Sequence, residues 1–294
     1  MNAKKWDKIS TLTLYTIAGI IVMILATLLI YILVQGLPHV SWHFLTTPAK
    51  AFQSGGGISI QLFNSFYLLI LSMLISVPLA LGAGIWLSEY APNNWLTSVI
   101  RTAIEILSSL PSIVVGLFGF LVFVVQCHLG FSILSGALAL TIFNLPLLTR
   151  NIEDALRSVD AAQREAGLAL GLSRWETVVH VVIPAALPGI LTGIILCAGR
   201  VFGEAAALIF TAGQSAPPLD FTNWNPFKIT SPLNPMRPAE TLAVHIWKIN
   251  AEGIMPDAEA VSAGSSAVLV LAVLIFNIIA RWVGNHIYRK MTAK

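Results

Sequence analysis

The sequence predicts an all-α, polytopic membrane protein with six transmembrane helices. Three observations carry the prediction. Of 294 residues, 56% are hydrophobic and only 11% charged, whereas a water-facing domain carries about 25% charged residues. The charges are also segregated: 41 uncharged residues separate Lys8 from Lys50, 38 separate Lys50 from Glu89, and 44 separate Glu105 from Arg150. A helix crosses about 30 Å of hydrocarbon in roughly 20 residues. Finally, backbone amides in hydrocarbon must be bonded within their own segment or a closed sheet. Runs of this length meet that demand as helices.

The first span is expected over residues 13–35. Lys4, Lys5 and Lys8 precede it as they would a signal peptide, but the apolar run exceeds a signal core of about 7–15 residues and reads as an uncleaved helix. The second is expected over 60–87, entered through Gly55-Gly56-Gly57 as a flexible lead. The 44-residue run holds two spans, 103–125 and 132–149, separated by a turn near Gln126–Gly130, with Pro111 kinking the first of them. The fifth span is expected over 185–211 and the sixth over 262–283. Cys127 and Cys197 lie in or beside apolar runs and read as small core residues rather than a disulfide. Neither they nor the histidines have metal-ligand spacing.

Lys and Arg set the orientation. With the N-terminus inside, the inner segments hold Lys4, Lys5, Lys8, Arg101, Arg150, Arg157, Arg164, Arg174, Arg281, Arg289, Lys290 and Lys294, which is 12. The outer segments hold Lys50, Lys228, Arg237 and Lys248, which is four. Both termini are therefore expected in the cytoplasm.

Two connecting segments stand out. The outer segment 212–259 is rich in Pro, Asn and Trp, and Leu242, Ile246 and Ile249 after Pro238 suggest a short amphipathic helix on the membrane surface. The inner segment 150–184 reads as helix–glycine–helix. Asp160 caps the first helix, with Gln163 placed for a capping box, and Gly171 ends it in the left-handed conformation. Ser173 and Glu176 form a second capping box. Ala162, Ala166 and Ala169 give the first helix a face of small residues.

Within the spans, Arg200 and Glu204 are four residues apart, which on one helix places them on one face about 6 Å apart in rise. A charge at mid-membrane costs roughly 2.5–3.5 kcal/mol, so both belong on a bundle interior or a water-filled path. A guanidinium fork suits an oxyanion, and a polar clamp between helices is the structural alternative. Gly199 and Gly203 suggest a closely approaching partner helix. Arg101 and Glu105 are spaced for an ion pair at the inner end of the third span. His180 reads as a hydrogen-bonded boundary residue.

Glu165-Ala166-Gly167, with Gly171 four residues later and Val181-Val182-Ile183-Pro184 beyond, resembles the EAA loop of ABC importer permeases. Other segments resemble the phosphate permeases of the PstA type. They are Gly55–Ile58, Ser88-Glu89-Tyr90, Pro111–Phe118 and Gly199–Ala207, in order from residue 55 to residue 207. The resemblance implies a type I ABC importer permease fold. Residues 1–12 would be a cytoplasmic N-terminus and 284–294 a cytoplasmic C-terminus. Residues 13–283 would form one six-helix domain, including a coupling loop at 150–184 and an external segment at 212–259.

The same resemblance implies function. Glu165, Ala166, Gly167 and Gly171 would dock into a separate ATPase dimer, and Arg200 and Glu204 would line the path of inorganic phosphate. A homologous second permease of the PstC type and an external phosphate-binding protein complete the expected assembly, in a bacterial inner membrane and with no nucleic acid. The sequence has no G-x-x-x-x-G-K-[ST] loop. No cofactor is expected on this chain, and ATP would be used by the partner. A permease for another oxyanion such as sulfate or molybdate, and an ion-coupled secondary transporter, remain the alternatives. An intramembrane enzyme is disfavoured, because the spans hold no nucleophile–base or paired-carboxylate constellation.

Overall fold

The computed structural model describes residues 3–50, 53–252 and 256–292, and every regular element among them is helical. The first span is α1 (Ala3–Gly36), followed by a 3₁₀ turn (Leu37–His39) and the short α2 (Trp42–Thr46). The second, α3 (Ser59–Ile85), runs on through a wide π turn to Tyr90. Next come α4 (Trp95–Ser108), α5 (Ser112–Gly119) with a π continuation to Gln126, and α6 (Ile133–Arg157). The loop after α6 carries α7 (Ala161–Ala169) and α8 (Arg174–Thr177). A π turn (Val178–Val182) leads into α9 (Ile183–Phe202), and α10 (Ala206–Thr211), α11 (Leu242–Glu252) and α12 (Ala258–Thr292) complete the chain.

Five helices are long and apolar enough to cross a membrane, and a bent pair makes a sixth span. The core is built on α3, α6 and α9. Leu68, Leu69, Leu140, Val201 and Phe202 pack at one end, and Ala80, Leu148, Ile152, Val182 and Ile190 at the other. In contrast, α1 exposes Leu12, Val22, Met23 and Ile30 along its length. An apolar face of that extent matches lipid rather than water.

Five sequence expectations change. The third span is broken: α4 and α5 meet at 98°. Pro111 has no amide hydrogen and bars Leu110 from helical geometry, so the helix ends there and restarts. The fifth span stops at Phe202 and restarts at Ala206, with Gly203–Ala205 unwound.

The glycine lead into α3 is packed rather than flexible. A Cβ on Gly57 would lie 2.4 Å from the carbonyl oxygens of Phe44 and Thr47, and the Gly57 amide donates to Pro48 O. Finally, α11 is interior. Leu242, Ala243, Val244, His245 and Ile249 are buried, and the helix packs on α3 and α12 instead of lying on a surface. Cys127, expected in the core, is exposed, whereas Cys197 is buried; both are free thiols.

The segment between α10 and α11 is held by buried charged side chains that the sequence did not single out. Arg237, 2% exposed, donates to Asn64 Oδ1 (2.7 Å) and Pro232 O (3.0 Å). Burial lowers its pKa to about 10, so it stays protonated at neutral pH. Glu240, 3% exposed, accepts from Gln61 Nε2 at 2.9 Å and faces His245 Nδ1 at 3.2 Å. A buried charge is tolerated only when paired or hydrogen-bonded. These bonds make the segment a fixed cap on the end of α3.

Candidate functional site

Two regions hold the residues singled out from the sequence. The first surrounds the break in the fifth span. Arg200 and Glu204 do not share a helix face, because the helix ends between them. The Arg200 guanidinium lies over the Phe143 ring of α6, 3.8 Å from its centroid. No carboxylate and no hydrogen-bond acceptor partners it among the described residues. A cation on an aromatic face gains up to about 2 kcal/mol when desolvated, and its in-plane N–H donors remain unused.

Glu204 has a different task. Its Oε1 accepts from Ala207 N at 3.1 Å, capping the first turn of α10. A carboxylate there satisfies an unpaired amide and meets the positive end of the helix dipole. Gly199 and Gly203 have no close backbone neighbour, which removes the expected tight helix contact at these two positions. The close approach occurs elsewhere: a Cβ on Gly116 of α5 would lie 2.8 Å from Ala207 Cα. The segments Pro111–Phe118 and Gly199–Ala207, far apart in sequence, thus meet at Gly116 and Ala207.

The second region is the inner loop. The Asp160 side chain caps α7 by accepting from Ala162 N at 3.0 Å, so the cap is a simple one rather than a box through Gln163. Gly171 ends the turn with φ +84°. Ser173 and Glu176 form the reciprocal capping box. Hydrogen bonds from Ser173 hold the Glu176 carboxyl below its usual pKa. That contribution is therefore present at neutral pH and is lost as pH falls through the lowered value. His180 Nδ1 lies 3.0 Å from Glu176 O.

The four residues expected to dock a partner divide. Glu165 and Ala166 are exposed on α7, together with Ala162 and Ala169. Gly167 is buried, and a Cβ there would meet Thr177 Cγ2 at 2.8 Å. Gly167 therefore closes the hairpin, and Gly171 shapes its turn. Beside them Leu168, Leu170 and Trp175 are exposed at 52%, 84% and 57%. This apolar ridge was missed because single Leu and Trp residues in a loop carry no spacing signal.

Next to this loop, ion pairs tie α4 to the end of α6. Arg101 of α4 bonds Glu153 of α6 at 2.8 Å, and Glu105 bonds Arg150 at 3.0 Å. The expected Arg101–Glu105 pair is replaced by these two inter-helix pairs, because the break at Pro111 lays α4 against α6.

Comparison with known proteins places this arrangement. Residues 76–293 match the family described as "Binding-protein-dependent transport system inner membrane component". The chain is 58% identical over 293 residues to a Bacillus subtilis (strain 168) protein described as a probable ABC transporter permease, YqgI, with 100% of each chain covered. It is 32% identical over 262 residues to the phosphate transport system permease protein PstA of Haemophilus influenzae, covering 89% of this chain and 88% of that one. Its fold matches a chain of a bacterial ABC transporter involved in the import of the acidic polysaccharide alginate, with TM-score 0.58 at 15% identity, over 98% and 97% of the two chains.

Proposed function

From the premise that the chain belongs to the family of binding-protein-dependent transport inner-membrane components, as an ABC importer permease of the PstA type, we propose that it passes inorganic phosphate. A permease of this kind is a multi-pass inner-membrane subunit that works with an ATPase and a second permease. In the proposed assembly an external phosphate-binding protein delivers the anion and a PstC-type subunit supplies the other half of the path. A separate ATPase dimer hydrolyses ATP, and this chain binds no cofactor itself.

The observation that carries the reading is Arg200. A permanent cation sits within a span with an aromatic ring beneath it and its donors unused. Phosphate at neutral pH bears one to two negative charges and accepts bonds from a planar fork. The guanidinium gives a passing anion a foothold.

In proteoliposomes containing the whole complex, labelled phosphate should accumulate only with ATP and the binding protein, and excess sulfate or molybdate should leave the rate unchanged. Uptake of sulfate or molybdate in place of phosphate would overturn the substrate assignment. Orientation has its own test. A cysteine at Ser54, in a background lacking Cys127 and Cys197, should react with an impermeant thiol reagent in intact cells. One at Leu170 should react only after the membrane is opened, and the reverse pattern would invert the topology.

A further inference from the structure

Two helices join the external cap to the inner loop. With its π turn, α3 runs unbroken from Ser59 to Tyr90, about 48 Å at 1.5 Å per residue. Beside it packs α6, Ile133–Arg157. Both are fastened to the cap. Gln61 and Asn64 of α3 bond Glu240 side chain and backbone at 2.9 Å each, and Tyr67 Oη donates to Leu233 O at 2.8 Å. The first amides of α6, Ile133 and Leu134, donate to Arg237 O and Pro235 O at 2.9 and 2.8 Å. The third and fifth spans are interrupted along their length. Pro78 and Pro146 lie inside α3 and α6, yet both helices run on through them, so the α3–α6 pair is continuous where those spans are jointed.

At the inner end α6 reaches α7 through only Ser158–Asp160. One such connection is a pivot, and turning of α7 about it would leave α6 unmoved. A second fastening turns the pivot into a lever. Arg164 of α7 supplies it. Its Nη2 donates to Leu156 O at 2.6 Å, an end carbonyl of α6, and to Glu89 Oε1 at 3.0 Å, at the inner end of α3. Nε adds 3.3 Å contacts to both Glu89 oxygens, and Nη1 donates to Val159 O. Arg174 also donates to Glu89 O and lies over the Tyr90 ring, 4.8 Å from its centroid. Glu89, with its side chain 9% exposed, is thus sequestered with one cation on its carboxylate and another on its carbonyl.

We propose that Glu89 and Arg164 are positioning residues, a clasp that makes the coupling helix a lever on the α3–α6 pair and links the ATPase to the external cap. The inference rests on the coupling-loop reading above. Coupling between two sites is reciprocal and amounts typically to a factor of 5–150, and a clasp that carries it must affect signals in both directions.

The test uses the assembled transporter in nanodiscs. Two quantities are read: stimulation of ATP hydrolysis by the loaded external binding protein, and the change in that protein's affinity when a non-hydrolysable ATP analogue is added. Glu89→Gln keeps the shape and an acceptor oxygen but removes the charge. Both quantities should fall about tenfold, with ATPase association and the analogue-free affinity for the binding protein unchanged. A purely local role would leave the affinity shift intact.

Tyr67→Phe removes one cap bond at the other end with little change in packing, and should reduce the same two quantities. Should Glu89→Gln fail to assemble, this variant decides. Full stimulation and a full affinity shift in an assembled Glu89→Gln complex, or in Tyr67→Phe where that complex does not form, overturns the clasp. The underlying reading fails separately, if Glu165→Lys, Gly171→Val and Gly171→Asn all assemble normally with the ATPase.

Discussion

Arg200→Gln is expected to reduce phosphate uptake roughly a hundredfold in a complex that still assembles. Losing one partner of a desolvated charge contact costs about 2–5 kcal/mol, and each 1.4 kcal/mol is a factor of about ten. Arg200→Lys keeps the charge but loses the fork and the stacking on Phe143, so about a tenth of the rate should remain. The structure separates Glu204 from this series. Glutamine at 204 still offers an oxygen to Ala207 N, and Glu204→Gln should transport at close to the normal rate. The double variant should match Arg200→Gln alone. Measured as initial uptake rates in proteoliposomes, near-normal transport by Arg200→Gln would leave Arg200 as packing for Phe143 and nothing more.

The second large effect is expected at Gly171. Its φ of +84° costs an L-residue about 1–2 kcal/mol, and a β-branched side chain tolerates it least. No atom lies within 4 Å of a Cβ built there, so the penalty is conformational and not a clash. Gly171→Val should insert normally yet lose association with the ATPase on co-purification. Gly171→Asn, which visits left-handed backbone more readily, should keep most of it. Glu165→Lys reverses an exposed charge beside the Leu168–Leu170 ridge and should lose association as Gly171→Val does. Normal assembly in all three variants would reduce the loop to a surface hairpin.

The features legible in the sequence were those governed by local chemistry. The Ser173–Glu176 box and the left-handed Gly171 are fixed by residues within a few positions, and both stand as expected. The uncharged runs placed the spans for the same kind of reason: crossing hydrocarbon is a length requirement on one segment. The break at Pro111 was visible as a kink, but its 98° angle was not. That angle is set by where α4 finds partners for Arg101 and Glu105, and these lie on α6, 45 or more residues away.

Arg200 and Glu204 show the limit most clearly. Their spacing of four suggested a shared face, but spacing has that meaning only while the helix continues. It ends at Phe202 because Glu204 is used to cap α10, and α10 is there because Ala207 packs against Gly116 of another span. The Gly167 environment, the Glu89–Arg164 clasp and the buried Arg237 and Glu240 are of the same kind.

The sequence by itself determined the solvent, the spans and the local caps of this protein, since each follows from transfer energies and backbone needs of short segments. Only the tertiary structure decided which charges pair and across which helices. An ion within or beside a membrane must find its partner across helices, and a one-dimensional spacing does not record which helix lies there. Arg200 has no carboxylate partner among the described residues and lies over the face of Phe143.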